Sequence, residues 1–339
     1  MTVRSPAYRR YSLGTEGISM TLSRPVPLGA HDVRVAIKAA SLNYRDLLVA
    51  KDQVGPAATN KVPLSDGAGE VVELGSAVTA WKLGDRVMPS FFQSWQDGPF
   101  NPAYFAGALG GAVDGVLADQ ITVPEAGLVR IPDHLTYVHA ATLPCAAVTA
   151  WGALFERGLP LKAGDILLVQ GTGGVALFGL QFAKAVGAKV VVMSSSDDKL
   201  ARAKAMGADF GINYRTTPEW AGAVREVTGG HGADHILELG GAETFAQSIA
   251  AVAANGSIAQ IGVLTGYGAT PNLNGLFSAN ATINGIMVGP RAYLERVAAF
   301  VARHDIAPVI DRTFAFDQAA EAYKHLGGAG HMGKIVIKV

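Results

Sequence analysis

Residues 166–196 read ILLVQGTGGVALFGLQFAKAVGAKVVVMSSS, and this stretch decides the fold. An apolar strand, Ile166 to Val169, runs into Gly171-Thr-Gly-Gly-Val-Ala176. An apolar-striped helix follows, then a second strand from Lys189 to Met193 that ends in three serines. That order is a nucleotide-binding βαβ unit. The first glycine allows a tight turn, the second lets the backbone approach a pyrophosphate, and the third small residue lets the helix pack on the strand. The helix start then offers N–H groups and a positive dipole to phosphates. Gly171, Thr172, Gly173, Gly174 and Val175 are accordingly the expected dinucleotide turn.

The end of the second strand selects the dinucleotide. NAD binders place an Asp or Glu there to hold the ribose 2′-hydroxyl. This chain has Ser194, Ser195 and Ser196, and its first acids, Asp197 and Asp198, fall where they suit the first turn of the next helix. Hydroxyls and a nearby Lys199 hydrogen-bond a 2′-phosphate that a carboxylate would repel. Ser196 also suits a helix cap, and both roles are compatible. The expected cofactor is NADPH (NADP+).

Composition sets the outer limits. A chain of 339 residues is long enough for two domains. Lys plus Arg (28) balances Asp plus Glu (28), so nothing in the charge attracts nucleic acid or an anionic membrane. The single cysteine, Cys145, excludes an intrachain disulfide. No apolar run approaches a membrane span of about 18 residues, and MTVRSPAYRRYSL lacks the apolar segment of a secretory signal. These features give the expectation of a soluble, cytoplasmic protein.

The texture changes along the chain. Residues 1–147 read as mostly β: Val33-Arg-Val-Ala-Ile-Lys38 alternates with period two, and Glu70 to Leu74 ends at Gly75. Irregular stretches at 51–62 and 91–112 read as long loops. From 148 to 289 helices and strands alternate, with helices expected at 197–206, 218–227 and 242–254. The expected strands are 210–213, 235–239, 257–262 and 282–288. Such alternation implies a parallel sheet covered on both faces. A helix at 291–304 and a last strand in Gly333 to Val339 return to the first texture, and that strand is expected to pair back into the N-terminal domain.

Several motifs in order carry a resemblance over essentially the whole chain: Ser41-Leu-Asn-Tyr-Arg-Asp-Leu47, Asp66-Gly-Ala-Gly-Glu-Val71, Gly84-Asp-Arg-Val87, Ala141-Thr-Leu-Pro-Cys-Ala146, Gly171 to Val175, Ala205-Met-Gly-Ala-Asp209 and Gly333-Lys-Ile-Val-Ile337. The sequence resembles the medium-chain dehydrogenase/reductase superfamily, in its zinc-independent branch of quinone oxidoreductase-like and zinc-type alcohol dehydrogenase-like proteins. The resemblance implies an α/β protein: a GroES-like, mostly-β catalytic domain (1–147, completed by 290–339) around a doubly wound Rossmann domain (148–289), with the active site in the cleft between them. It also implies a homodimer, for which the strand Thr282 to Val288 is a candidate edge.

Departures from the zinc enzymes say more about chemistry. The first ligand position of the catalytic zinc holds Asn43, the histidine position holds Ser65, and Cys145 matches the last ligand alone. One thiol with an amide and a hydroxyl is not a zinc site. His231 and His235 are four apart, but Gly232 between them favours a turn over a ligand-bearing helix. Without a Lewis acid a simple ketone loses its strongest polarising aid. Quinones and α,β-unsaturated carbonyls suffer less, because hydrogen bonds can stabilise the developing enolate. The expectation is an oxidoreductase passing hydride from NADPH to such a small-molecule acceptor. A zinc-free alcohol dehydrogenase or ketone reductase, and a non-catalytic NADPH-binding protein, are the alternatives.

By the same resemblance Asn43 orients the acceptor oxygen and Tyr44 donates a hydrogen bond or proton. An ordinary strand-end turn is the other reading of both. Asp46 suits either a supporting role or a helix-start carboxylate, and Ser65 is a further candidate for a substrate hydrogen bond. Thr149, Tyr214, Gly262, Val263, Leu264, Met287, Val288 and Lys334 match places where relatives approach the cofactor. The loop 91–105 carries six aromatics in fifteen residues. Either it walls the substrate pocket, with Phe91 and Trp95 on the acceptor, or it packs as a satellite core. Cys145, with no base beside it in sequence, reads as a structural thiol.

Overall fold

The computed structural model describes residues 7–14, 17–53, 60–266, 268 and 271–339. Two of the sequence expectations, the N-terminal segment and the 51–62 loop, lie partly outside these residues. The chain divides into two compact units, one of residues 1–148 with 289–339, the other of residues 149–288.

In the first unit the strand Asp32–Leu42 is central. It pairs antiparallel with Asp66–Leu74 on one side and with Lys334–Lys338 on the other, and its first half also pairs with Gln120–Pro124. The sheet runs in the order Ile310–Ala315, Lys334–Lys338, Asp32–Leu42, Asp66–Leu74, Arg86–Pro89, Leu128–Arg130. The period-two alternation explains its packing. Val33, Val35 and Ile37 point into a core shared with Leu64, Val71, Val87, Leu117 and Ile335. Each such fully buried side chain is worth roughly 1.5–3 kcal/mol. The last strand returns to this sheet as expected, with Ile335 opposite Leu42 and Ile337 opposite Ala40.

The second unit is a six-stranded parallel sheet in the order Phe210–Asn213, Lys189–Ser194, Ile166–Gln170, Ala233–Glu238, Val252–Gln260, Thr282–Gly285. Leu167, Leu168, Val169, Val190, Val191 and Val192 are all fully buried, as strands covered on both faces require. This is the doubly wound Rossmann order, and the direction of winding reverses between Ile166–Gln170 and Ala233–Glu238.

Several boundaries differ from the sequence reading: the strand expected at 257–262 is Val252–Gln260, and the helix expected at 218–227 starts at Trp220. The helix expected at 242–254 spans only Phe245–Ala251. Its expected first turn is held in a loop by bonds to Glu238, and Val252 leaves the helix to pair with Ala233. The strand expected at 282–288 stops at Gly285. Beyond it Val288 has φ 44°, which no strand accommodates. Among the described residues no helix is long and apolar enough to cross a membrane.

Candidate functional site

In the Rossmann unit the strand Ile166–Gln170 ends at Gly171, whose φ of 83° lies in the left-handed region that favours glycine. The turn delivers the chain into the helix Gly174–Ala185, which starts at Gly173 without any capping side chain. A methyl group at either Gly171 or Gly173 would meet no atom within 4 Å. The helix therefore presents uncapped N–H groups to open space, and these residues fit a pyrophosphate. Thr172 is buried and Val175 half-buried beside them.

The strand Lys189–Ser194 ends without a carboxylate. Ser194 is buried and its Oγ accepts from the Ser196 N–H at 3.2 Å. Ser196 caps the helix Asp197–Ala205, accepting from the Lys199 N–H at 3.4 Å. Asp197 is turned to Asn213 Nδ2 at 2.8 Å. The Tyr214 N–H donates to the Ser194 carbonyl at 3.1 Å, so Tyr214 and the next residue, Arg215, stand at the serine-tipped end. Both are exposed, and Arg215 pairs with no carboxylate among the described residues. The sequence reading omitted Arg215, although a cation one residue past Tyr214 was visible. Its nearness to the serines depends on the pairing of Phe210–Asn213 with Lys189–Ser194.

Further along, Ile261 and Gly262 both donate to the Glu238 carbonyl at 3.0 Å. Gly262 lies so close to Leu239 that a side-chain carbon would sit 2.0 Å from the Leu239 carbonyl oxygen. Val263 and Leu264 follow in the turn, with Leu264 exposed. Met287 is exposed and precedes the left-handed Val288. Thr149, buried on the short helix Val148–Trp151, is the first residue of this unit.

The first unit holds a compact polar cluster. Asn43 precedes the helix Tyr44–Ala50, and its backbone N–H donates to Asp46 Oδ2 at 2.7 Å. Lys334, only 3% exposed, donates to the Leu42 carbonyl at 2.6 Å and to Asn43 Oδ1, and its Nζ lies 3.7 Å from Asp66 Oδ2. The ammonium fixes which end of the amide is oxygen. Asn43 Nδ2 is thus buried and turned toward Asp66, whose carboxyl it helps to keep from rising further. Asp66, fully buried, also accepts from Ser65 Oγ at 2.8 Å and from the Cys145 N–H at 3.3 Å. Burial raises the Asp66 carboxyl above its ordinary range, against the pull of Lys334. Asp46, also paired with Arg45 at 3.3 Å, is pushed up to about 6, chiefly by burial. Burial and then Asp66 raise the Cys145 thiol.

Three expectations change here. Ser65 is fully buried with its hydroxyl given to Asp66, so it offers no substrate hydrogen bond. Lys334, expected on the cofactor, is an internal counter-ion whose ammonium is turned to Leu42, Asn43 and Asp66. Trp95 and Phe91 do not wall a pocket. They are 6% and 5% exposed in a satellite core with Phe92, Phe100, Tyr104 and Phe105. One face of Trp95 stacks on Tyr104 at 5.6 Å and its Nε1 donates to Gly98. Tyr44 is 39% exposed at the helix start, and Asp46 is both the helix-start carboxylate and a support of Asn43.

The donors at the zinc-ligand positions do not fit that metal. The Asn43 oxygen is taken by an ammonium, the Ser65 hydroxyl by a carboxylate, and the thiol is held against ionisation. Among the described residues no three His, Cys, Asp or Glu side chains converge as metal ligands. His231 instead pairs with Asp234, and His235 with Asp165.

Residues 29–133 match the alcohol dehydrogenase GroES-like domain family and residues 174–303 the zinc-binding dehydrogenase family. A zinc-type alcohol dehydrogenase-like protein of Schizosaccharomyces pombe is 44% identical over 323 residues, covering 93% of each chain. The chain belongs to the medium-chain dehydrogenase/reductase superfamily. Among solved members of the superfamily, a proposed alcohol dehydrogenase from Sinorhizobium meliloti superposes with a TM-score of 0.92 at 44% identity, covering 99% of both chains. A 2-octenoyl-CoA carboxylase reductase, solved with NADP and 2-octenoyl-CoA, superposes at 0.86 with 25% identity, covering 98% of this chain and 88% of that one. The chain is thus a medium-chain oxidoreductase with a GroES-like and a Rossmann fold.

Proposed function

We propose that this oxidoreductase is NADPH-dependent and zinc-independent, and that it reduces quinones or α,β-unsaturated carbonyl compounds. The observation that carries the reading is the Lys334 ammonium bonded to Asn43 Oδ1 beside Asp66, among the residues that replace the zinc ligands. A built-in cation there opposes a second one. NADPH is supported by the serine end of Lys189–Ser194 and by the exposed Tyr214 and Arg215 beside it. The carboxylase reductase solved with NADP and an enoyl thioester supports a conjugated acceptor.

When bound, the nicotinamide supplies the hydride. This chain's residues then act on the acceptor oxygen. Lys334 holds the Asn43 amide by its oxygen, and the Nδ2 side, next to Asp66, turns to donate to that acceptor oxygen as negative charge builds. The exposed Tyr44 hydroxyl gives the proton, and Asp46 fixes Asn43 through its backbone N–H. Consumption of NADPH is followed by nicotinamide absorbance across a panel of quinones, enones and saturated ketones, with and without a chelator. Turnover of the conjugated acceptors that survives chelation is expected. Turnover lost to the chelator and restored by zinc would refute the reading. The alcohol dehydrogenase-like relatives favour a second reading, a zinc-free ketone reductase, which predicts turnover of the saturated ketones instead. A cytoplasmic homodimer completes the proposal, built on Thr282–Gly285, one of the two edge strands of the parallel sheet. Sedimentation as a monomer would remove the dimer.

A further inference from the structure

The two strands that flank the reversal of winding end in Gln170 and Glu238. Their side chains meet across it, Gln170 Nε2 donating to Glu238 Oε2 at 2.7 Å, 68 residues apart in sequence. Glu238 is fully buried, yet no cation pairs with it among the described residues. Neutral donors surround its carboxyl group instead. Oε1 accepts from the Gly240 N–H at 3.1 Å, the Gly241 N–H at 2.9 Å and the Thr244 hydroxyl. Oε2 accepts from Gln170 and from the Ser248 hydroxyl.

The second half of the Gln170 amide works on the same loop. Its Oε1 accepts from Leu239 and Gly240 N–H, each at 3.0 Å. Thr265 is tied to the same place, its N–H and hydroxyl donating to the Gly240 carbonyl at 2.8 and 3.0 Å. Gln170 immediately precedes the dinucleotide turn, so one amide joins that turn to the loop 239–241 and, through it, to 261–265. In doubly wound folds the ligand lies in the crevice at this reversal.

We propose that Gln170 and Glu238 are positioning residues for the dinucleotide. Their amide–carboxylate tie sets the separation of the two strand ends and fixes the 239–241 and 261–265 backbone against the nicotinamide half of the cofactor. The proposal rests on the dinucleotide reading above. It distinguishes the cofactor's two halves, because the serine-tipped strand serves the adenosine 2′-phosphate and meets Gln170 only through the backbone pairing with Met193, sharing no side-chain bond with the tie.

The test measures binding of NADPH and of 2′,5′-ADP, which carries only the adenosine half, to the full chain and to Gln170→Leu and Glu238→Gln. Gln170→Leu removes the link and leaves the Leu239 N–H without its acceptor. NADPH affinity is expected to fall about tenfold in each variant, the size of one lost buried partner. Affinity for 2′,5′-ADP is expected to stay within about twofold of wild type, since the tie lies outside its site. The exchanged pair Gln170→Glu with Glu238→Gln rebuilds an amide–carboxylate contact and is expected to recover most of the NADPH affinity. Unchanged NADPH binding in Gln170→Leu would overturn the proposal. An equal loss of both ligands would also overturn it, reducing the pair to general structural support. If Glu238→Gln does not fold, Gln170→Leu decides alone. Wild-type protein that binds neither ligand sinks the dinucleotide reading and this proposal together, an outcome distinct from any result on the variants.

Discussion

Replacing Asp46 by Asn should make the protein's stability less sensitive to pH, by an amount that follows from the site. Asp46 is 2% exposed and its carboxyl is pushed from an ordinary 3.8 to about 6, because burial outweighs the help of Arg45 and the Asn43 N–H. The folded chain therefore keeps a proton that the unfolded chain releases, and between these two values the folded state binds more protons. Stability falls as pH rises through that window and levels off above it. A shift of about two units at about 1.4 kcal/mol each amounts to about 3 kcal/mol. Asn cannot ionise, yet its Oδ1 can still accept from the Asn43 N–H. Urea unfolding of both proteins at about pH 4 and about pH 8 should show the variant gaining about 3 kcal/mol on the wild type across the range. Taking the difference between the two proteins cancels groups that titrate alike in both. Parallel pH profiles would refute the reasoning, and would mean that solvent reaches Asp46 or that Arg45 holds it charged.

Three further outcomes follow from the geometry. Trp95→Ala should destabilise the fold by about 3–5 kcal/mol, since it empties the centre of an aromatic cluster; calorimetry reads the loss, and the KM for acceptors should not move. Gly262→Ala should lower both the melting temperature and NADPH affinity, because the new carbon would meet the Leu239 oxygen at 2.0 Å; a variant melting like wild type contradicts this. Ser195→Asp should shift the ratio of kcat/KM for NADPH over NADH by about tenfold or more towards NADH, by placing a carboxylate against the 2′-phosphate; an unchanged ratio would locate the phosphate elsewhere.

The βαβ unit could be read from sequence because each of its parts is local. Apolar runs, a glycine turn and a helical stripe all fall within 166–194. The helix at Phe245–Ala251 could be detected but its start could not, because Glu238 draws Gly241 and Thr244 into a loop by tertiary hydrogen bonds. Six aromatics between Phe91 and Phe105 announced buried surface without saying what buries it; packed on one another, they bury Phe91, Phe92 and Trp95 and leave Phe105 exposed. Lys334 was visible as a candidate, yet its direction depends on Ile335 lying opposite Leu42, a pairing across nearly the whole chain. Gln170 and Glu238 carried no signal at all, since a glutamine and a glutamate at two strand ends acquire meaning only when the strands become neighbours.

The return of Lys334–Lys338 to the strand Asp32–Leu42 has a consequence for how the molecule is made. The ribosome finishes the inserted parallel sheet before it supplies the strands that the first sheet still lacks, Ile310–Ala315 and Lys334–Lys338. Until then Asp32–Leu42 has an open flank, and Asn43 and Asp66 wait without the Lys334 ammonium. The inserted unit is thus placed to fold during synthesis, while the older half of the chain must delay its own completion. A nascent chain arrested before residue 310 should protect the Rossmann amides from exchange and leave those of the Asp32–Leu42 flank open.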